Sequence, residues 1–479
     1  MSSMDFDDMF PESGDKNENM EEKLRKYRQA LRKHGGNSPE ISNIEALEEL
    51  VNYCLENDRF DDALAFCKVW AEYAPYSSDA WHKLGFIYLN LDNFSKAHKY
   101  LDKALILNPM DSEALLNKSI TYDQEGESEK AFEYIEKCLS IDPGNEEALY
   151  QKGLILQGLD KHNEALAIFS YLSKSEGFMS DALQEMAYSF NEINDNAKAI
   201  EYYKLAIDEN PFDENLWYNR GIIHAQLKHY HEAIECYEMA LAIKEDFFIA
   251  WYNMGNVYAT LGKLNESIDC YTEALKYSPD DSDTLHNLGS AYGDMSNFAE
   301  AIKCYDILLK KYPDHWSSLF GRGICYDAIE DYDKAIADYD AALAIKQHYP
   351  EVYYAKGDAL YNNSKPDEAV ECYRKALEQD PDNLECLFDY ASTLFEIGHY
   401  ELSRIAFERI SELSPEWAEG YYGLAKYYAI LENAENSAFY LRKAISYDLR
   451  KQDDFIEDFP VFINDPALYK EIAALILKK

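Results

Sequence analysis

Residues 248–281 read FIAWYNMGNVYATLGKLNESIDCYTEALKYSPDD. Counted from Phe248, the apolar residues Trp251, Met254 and Tyr258 hold places 4, 7 and 11, one stripe of a helix. Gly255 at place 8 lies inside that helix. Glycine costs about 1 kcal/mol there against alanine, so its use needs a packing reason. A second helical pattern follows, with Tyr271 at place 24 and Ala274 at place 27. Pro279 at place 32 ends it, because proline cannot continue a helix.

The same 34-residue frame extends in both directions. Pro75, Pro109, Pro143, Pro211, Pro279, Pro313, Pro381 and Pro415 are separated by multiples of 34, and Gly177, Glu245, Gln347 and Leu449 hold the skipped positions. Twelve copies run from Ile44 to Leu449 without insertion or deletion. Place 8 is Gly, Ala or Ser in eleven of them, the exception being Val51, and place 20 is Ala or Ser in all twelve. Place 24 is usually aromatic, as in Phe169, Tyr203, Tyr237, Tyr305, Tyr339, Tyr373 and Phe407. The small residue at place 8 is expected to face place 20 of the partner helix, so that the backbones approach and larger side chains fill the margins.

This pattern resembles the tetratricopeptide repeat, whose 34-residue unit carries W-x-x-L-G-x-x-Y…A…F…P. Trp251, Gly255, Tyr258, Tyr271, Ala274 and Pro279 carry the match in one copy. Single helix pairs cannot bury their apolar faces alone, so they stack. The resemblance implies an all-α fold, a right-handed superhelical solenoid with first helices lining its concave side. Residues 44–449 are the array, 1–43 an N-terminal tail and 450–479 a C-terminal cap. Residues 1 to about 20 are expected to be disordered. Glu22–His34 reads as a short basic helix, and 35–39 as a linker. Asp465-Pro466 reads as a helix start, with 466–477 as a terminal lid and Phe455, Phe459 and Phe462 tucked onto the last repeat.

Composition excludes several classes of function. The 479 residues carry 89 acids against 46 bases, a net charge of −43. That field repels nucleic acid and anionic lipid and favours neutral or basic protein partners. The acidic opening MSSMDFDDMF is unlike a signal peptide, and no stretch has the ~18–20 apolar residues of a membrane helix. Nine cysteines without a C-x-x-C pair point to reduced thiols and a cytoplasmic location.

Neither tail is long enough for a catalytic domain, and P-loop, G-x-S-x-G and H-E-x-x-H motifs are absent. The expectation is no enzyme, no cofactor and no metal. His229 and His231 flank Tyr230 with no third ligand beside them. Cys236, Cys270, Cys304 and Cys372 share place 23 and read as small packing residues. The acidic turn 279–283 lacks the glycine and terminal glutamate of a calcium loop.

Function then falls to the displayed surface. Places 2, 5, 6, 9, 12 and 13 of each first helix occupy about 120° of arc opposite the buried stripe. Place 2 is acidic in nine repeats, either as a rim for a basic ligand or because carboxylates favour a helix's first turn. Place 5 carries Tyr150, Tyr218, Tyr252, Phe320, Tyr354, Phe388 and Tyr422, candidate aromatic anchors. Place 6 carries Asn219, Asn253 and Asn287 in consecutive repeats, with Asn117 further back. A side-chain amide can donate and accept at once, so such a row could hold a peptide backbone. It is similar to the asparagine ladder of O-linked N-acetylglucosamine transferase. Phe86, Leu89, Ile120 and Leu154 make the N-terminal quarter apolar, and Ile324, Tyr361 and Phe395 do so near the C-terminal end.

The reading is a non-catalytic scaffold binding peptide or protein segments, the alternative a co-chaperone or regulatory subunit recruiting another enzyme. Family members that grip chaperone carboxyl termini use Lys at place 5 and Asn at place 9, and no place 5 is Lys here. The basic segment 23–33, with Lys23, Arg25, Lys26, Arg28, Arg32 and Lys33, could dock intramolecularly in the acidic groove or cover repeat 1.

Overall fold

The computed structural model describes residues 13–34 and 43–459. Among these the chain forms 26 helices and no strand. Twelve helix pairs follow the 34-residue frame: first helices start within a residue of place 1, from Ile44–Glu56 to Ala418–Ile430, and second helices start at place 17, from Phe60–Tyr73 to Ala434–Tyr447. The chain divides into two compact units, Met1–Ile243 with repeats 1–6 and Lys244–Lys479 with repeats 7–12. Each is a stack of antiparallel helix pairs, an all-α solenoid.

Local chemistry sets the ends of these helices. Seven first helices are N-capped by Asn, Asp or Ser just ahead of place 1; Asp111 accepts from the Ala114 amide at 3.0 Å and Asn145 from Ala148 at 2.9 Å. Such caps satisfy amides that have no partner within the helix. The first helices close on a residue of positive φ at place 15, in every repeat from Asp58 to Glu432. In repeat 2 the Asn93 amide reaches Tyr88 O (2.9 Å) and Asp92 reaches Leu89 O (3.0 Å), the paired bonds of a Schellman ending. Second helices stop where proline was expected to stop them: the Ala74 amide bonds Trp70 O, and Pro75 follows.

Inside a repeat, place 8 meets place 20 as expected. Ser119 Oγ donates to Ala131 O (2.8 Å), and Ser403 and Ser437 bond back to Ala391 and Ala425. The tightest neighbour of the glycines is instead the place-24 side chain. A Cβ on Gly255 would lie 2.6 Å from Tyr271 Cε1, and one on Gly357 2.4 Å from Tyr373 Cε1. These tyrosines are among the most deeply buried large side chains.

Neighbouring repeats are also joined by charge. The cation at place 7 pairs with the carboxylate at place 25 of the preceding repeat: Lys118 with Asp102, Lys152 with Glu136 (2.5 Å), Arg322 with Asp306 (2.5 Å) and Lys356 with Asp340 (2.5 Å). Within each unit neighbouring first helices touch, while second helices make no comparable contact with one another, so first helices line the inner side of the curve.

Both ends depart from the sequence-based expectation. The N-terminal helix spans Ser13–His34, so residues 13–20, expected to be disordered, are helical; residues 1–12 and the linker at 35–39 lie outside the described residues. Its basic segment covers repeat 1, with Leu24 and Ala30 buried and Tyr27 and Leu31 packed on the same cluster. Arg28 Nε donates to Asp62 (2.7 Å), Lys23 pairs with Glu49, and Tyr53 Oη donates to Glu21 (3.1 Å). At the other end Lys451–Asp458 forms a short helix in the position of a thirteenth first helix. Phe455 is buried and Phe459 packs beside it, as expected; Phe462 and the lid at 466–477 lie outside the described residues.

Candidate functional site

The place-5 aromatics are first of all packing residues. Six of the seven lean on the place-24 ring of their own repeat: Tyr150 on Phe169, Tyr218 on Tyr237, Tyr252 on Tyr271, Phe320 on Tyr339, Tyr354 on Tyr373 and Phe388 on Phe407, with centroids 5.7–6.5 Å apart. These six are half-buried, while Tyr422, with Leu441 at place 24, is buried and packs on Phe455. Their polar tips serve a second purpose, reaching place 6 of the following repeat. Tyr354 Oη donates to Asp389 (2.6 Å), Tyr150 bonds Glu185, and Tyr252 Oη accepts from Asn287 (3.3 Å). His82 does the same with Asn117 (2.7 Å), so Asn117 is buried and turned to its neighbour rather than to the groove.

Two stretches of the second unit's inner face carry exposed chemistry. In repeats 7 and 8 a cavity of about 280 Å³ opens between the first helices Phe248–Thr260 and Ser282–Asp294. Asn256 and Asn287 stand in its wall with Thr260, Ser290 and Asp294. Asn256 Oδ1 accepts from Tyr271 Oη (2.7 Å) and from Asn287 Nδ2 (2.9 Å). That arrangement leaves the Asn256 amino group and the Asn287 carbonyl for the cavity, a donor and an acceptor side by side. Asn256, at place 9, was not foreseen as a site residue. Its signal is the 31-residue step to Asn287, which carries place 9 to place 6 of the next first helix.

The same diagonal recurs in repeats 9–11 as Asp327, Asp358 and Asp389. Burial raises all three carboxyls above the usual range, and among the described residues no Lys or Arg faces them. Asp358 is pushed up to about 6, by burial first and then by Asp389, Asp327 and Glu385, against a hydrogen bond from Tyr373 Oη (2.7 Å) that favours its charged form. Tyr339 is fully buried and its hydroxyl has no partner, because place 9 of its repeat is Ile324 rather than a polar residue.

Tetratricopeptide-repeat profiles match residues 78–111, 112–145, 180–213, 215–247, 248–281, 286–350, 350–383, 372–404 and 418–450, about two thirds of the chain. The chain is a tetratricopeptide-repeat protein. Comparison with curated proteins gives no match. Among solved structures, this tetratricopeptide-repeat protein is similar to YrrB, described as having an unusual peptide-binding site (23% identity, 37% of this chain and 92% of that one, TM-score 0.35). It is also similar to yeast Tom70 (18% identity, 90% and 99%, TM-score 0.34) and to the C-terminal part of a repeat protein from Cytophaga hutchinsonii (17% identity, 48% and 95%, TM-score 0.44). The tetratricopeptide repeat is an interaction scaffold and typically non-catalytic.

The remaining candidates of the repeat array divide between the units. Asn219 is half-buried on the first helix of repeat 6, in the first unit, whereas Asn253 and Asn287 belong to the second. Of the apolar N-terminal stretch, Phe86 is half-buried. Ile120 packs against two core clusters, Leu154 packs on another, and Leu89 is buried and does not line the surface. Near the other end Ile324 and Tyr361 are exposed, while Phe395 packs on Tyr400. The place-23 cysteines are buried. Asp281, in the acidic turn, caps the following helix through the Thr284 amide (2.9 Å). No described helix is long and apolar enough to cross a membrane.

Proposed function

We propose that this protein is a non-catalytic scaffold whose second unit holds extended protein segments of neutral to basic character along its first helices. The observation that carries this reading is the diagonal of Asp327, Asp358 and Asp389, half-buried carboxylates with no cation facing them among the described residues. By contrast, the buried carboxylate of Asp338 is matched by Arg322. A lysine or arginine side chain of a ligand would supply the missing charge through short charge-assisted hydrogen bonds. The Asn256–Asn287 pair, two repeats earlier, would take a peptide group of the same strand through one donor and one acceptor. Repeats lie about 10 Å apart and an extended chain rises about 3.3 Å per residue, so every third ligand residue meets a repeat.

The test is an array of 12-residue peptides graded from acidic to basic, probed with wild type, Asp358→Asn/Asp389→Asn and Asn256→Ala/Asn287→Ala. Basic peptides are expected to bind best. The aspartate variant should lose at least tenfold on basic peptides only, and the asparagine variant should weaken all bound peptides alike. Equal binding of acidic and basic peptides, or indifference to both variants, would sink the reading.

A further inference from the structure

The first unit carries a second site, on the outer side of repeat 6, independent of the groove. In repeats 2, 3, 5 and 12 the ring at place 11 of the first helix stacks on a ring at place 23 of the second: Tyr88 on Tyr100 (5.4 Å), Tyr122 on Tyr134 (5.4 Å), Phe190 on Tyr202 (5.1 Å) and Tyr428 on Tyr440 (5.5 Å). Repeat 6 has His224 and Cys236 at these places, so the second ring is missing. A cavity of about 620 Å³ opens where it would lie, between the helices Glu214–Gln226 and Tyr230–Ile243. Trp217, Arg220, His224, Cys236 and Met239 line it.

Two polar groups in its wall have no hydrogen-bond partner among the described residues. His224 is 7% exposed, and neither ring nitrogen makes a hydrogen bond; the buried Nε of Arg220 makes none either. The reason for the second lies in the repeat code. Other place-7 cations find a carboxylate at place 25 of the preceding repeat, but for Arg220 that position is Lys204, which accepts nothing. Buried donors and acceptors are normally paired, so an unpaired set around a cavity points to a group supplied from outside. Burial, reinforced by Arg220, lowers the His224 pKa, which leaves the imidazole neutral with one donor and one acceptor nitrogen.

We infer that this pocket receives a tyrosine side chain from a basic segment of a partner protein. The ring takes the vacant stacking position, with Met239 sulfur and Trp217 as apolar neighbours. The phenol donates to the unprotonated nitrogen of His224 and accepts from Arg220 Nε. Exposed Glu232, Glu235 and Glu238 border the cavity, which disfavours a phosphorylated or carboxylate ligand and selects lysine or arginine beside the tyrosine.

The full chain is titrated with three peptides, Ac-KKYKK-NH2 and its phenylalanine and phosphotyrosine counterparts, observing Trp217 fluorescence against a Trp217→Phe control. The tyrosine peptide should bind at least fivefold tighter than the other two. Cys236→Tyr restores the ring present as Tyr100 and Tyr134 and should erase that preference. His224→Tyr, which restores the residue found as Tyr88 and Tyr122, does the same and covers failure of the first variant to fold. Arg220→Gln should reduce the preference over phenylalanine. Equal response to tyrosine and phenylalanine, including none to either, overturns the inference, as does tightest binding of phosphotyrosine or a preference that survives both filling variants. Because the readout is the tyrosine preference, basic peptide held by the second unit's carboxylates does not count towards it.

Discussion

In seven of the twelve repeats a single missing Cβ, at place 8, decides how the two helices pack. At place 8 glycine lets a tyrosine ring lie against the first helix, and in repeat 10 the ring's hydroxyl thereby reaches Asp358 (2.7 Å) on the inner face. Core and surface chemistry are therefore one side chain. Gly357→Ala sets two effects against each other: alanine gains about 1 kcal/mol of helix propensity, while overpacking costs about 1–3 kcal/mol. With Cβ falling 2.4 Å from the Tyr373 ring, the clash should win by roughly 1 kcal/mol. A lower urea midpoint at unchanged m-value would show it. Adding Tyr373→Leu should recover part of the loss, since repeat 12 already packs alanine at place 8 with leucine at place 24, as Ala425 and Leu441.

At the scale of helices, the ion pairs within and between repeats are unequal because their burial is unequal. Arg322 grips both oxygens of Asp338 at 2.7 Å, and Asp338 is 7% exposed. Arg322→Ala strands that carboxylate and should cost about 3–5 kcal/mol. Lys356→Ala, whose partner Asp340 is exposed, should cost under about 1 kcal/mol. A double-mutant cycle with Asp338→Ala, read by denaturant unfolding, checks the first figure. These helices were legible in the sequence because proline, glycine and the apolar stripe all speak to one period. The turns between them were less so: place 15 needs positive φ in every repeat, yet only Gly126, Gly262 and Gly398 advertise it strongly, with Asn194, Asp58, Asp92 and Asp160 doing so weakly. Lys228, Glu330 and Glu432 adopt the same conformation with nothing in their chemistry to announce it. The candidate site was half legible for a related reason. Reading place 6 alone finds Asn287 but not Asn256, because the step that joins them is 31 residues rather than 34. The place-5 rings looked like ligand anchors, and their contacts with place 24 appear only in three dimensions.

For the whole molecule, excess negative charge becomes local where it is buried. Asp358 titrates near 6 in the folded chain and near 3.9 when unfolded, so the native state holds a proton that the unfolded chain releases. Its stabilising contribution is full below about pH 4 and is lost as pH rises through about 6. Moving from pH 7.5 to 5.5 should therefore stabilise the protein, and Asp358→Asn should remove a share on the order of 1 kcal/mol after allowance for partial exposure. Urea unfolding of both proteins at the two pH values measures that share; a variant with the wild-type pH response would contradict it. The nine cysteines have a consequence of another kind. All are buried, and burial pushes Cys54, Cys138, Cys236, Cys304 and Cys325 up to about 11 and Cys67 and Cys386 up to about 12. At neutral pH these thiols, apart from Cys236 on its cavity wall, react only when their helices open. Since stacked repeats come apart between neighbours rather than all together, the order in which a small alkylating reagent captures these sulfurs is a chronicle of fraying, written along the chain from repeat 1 to repeat 11.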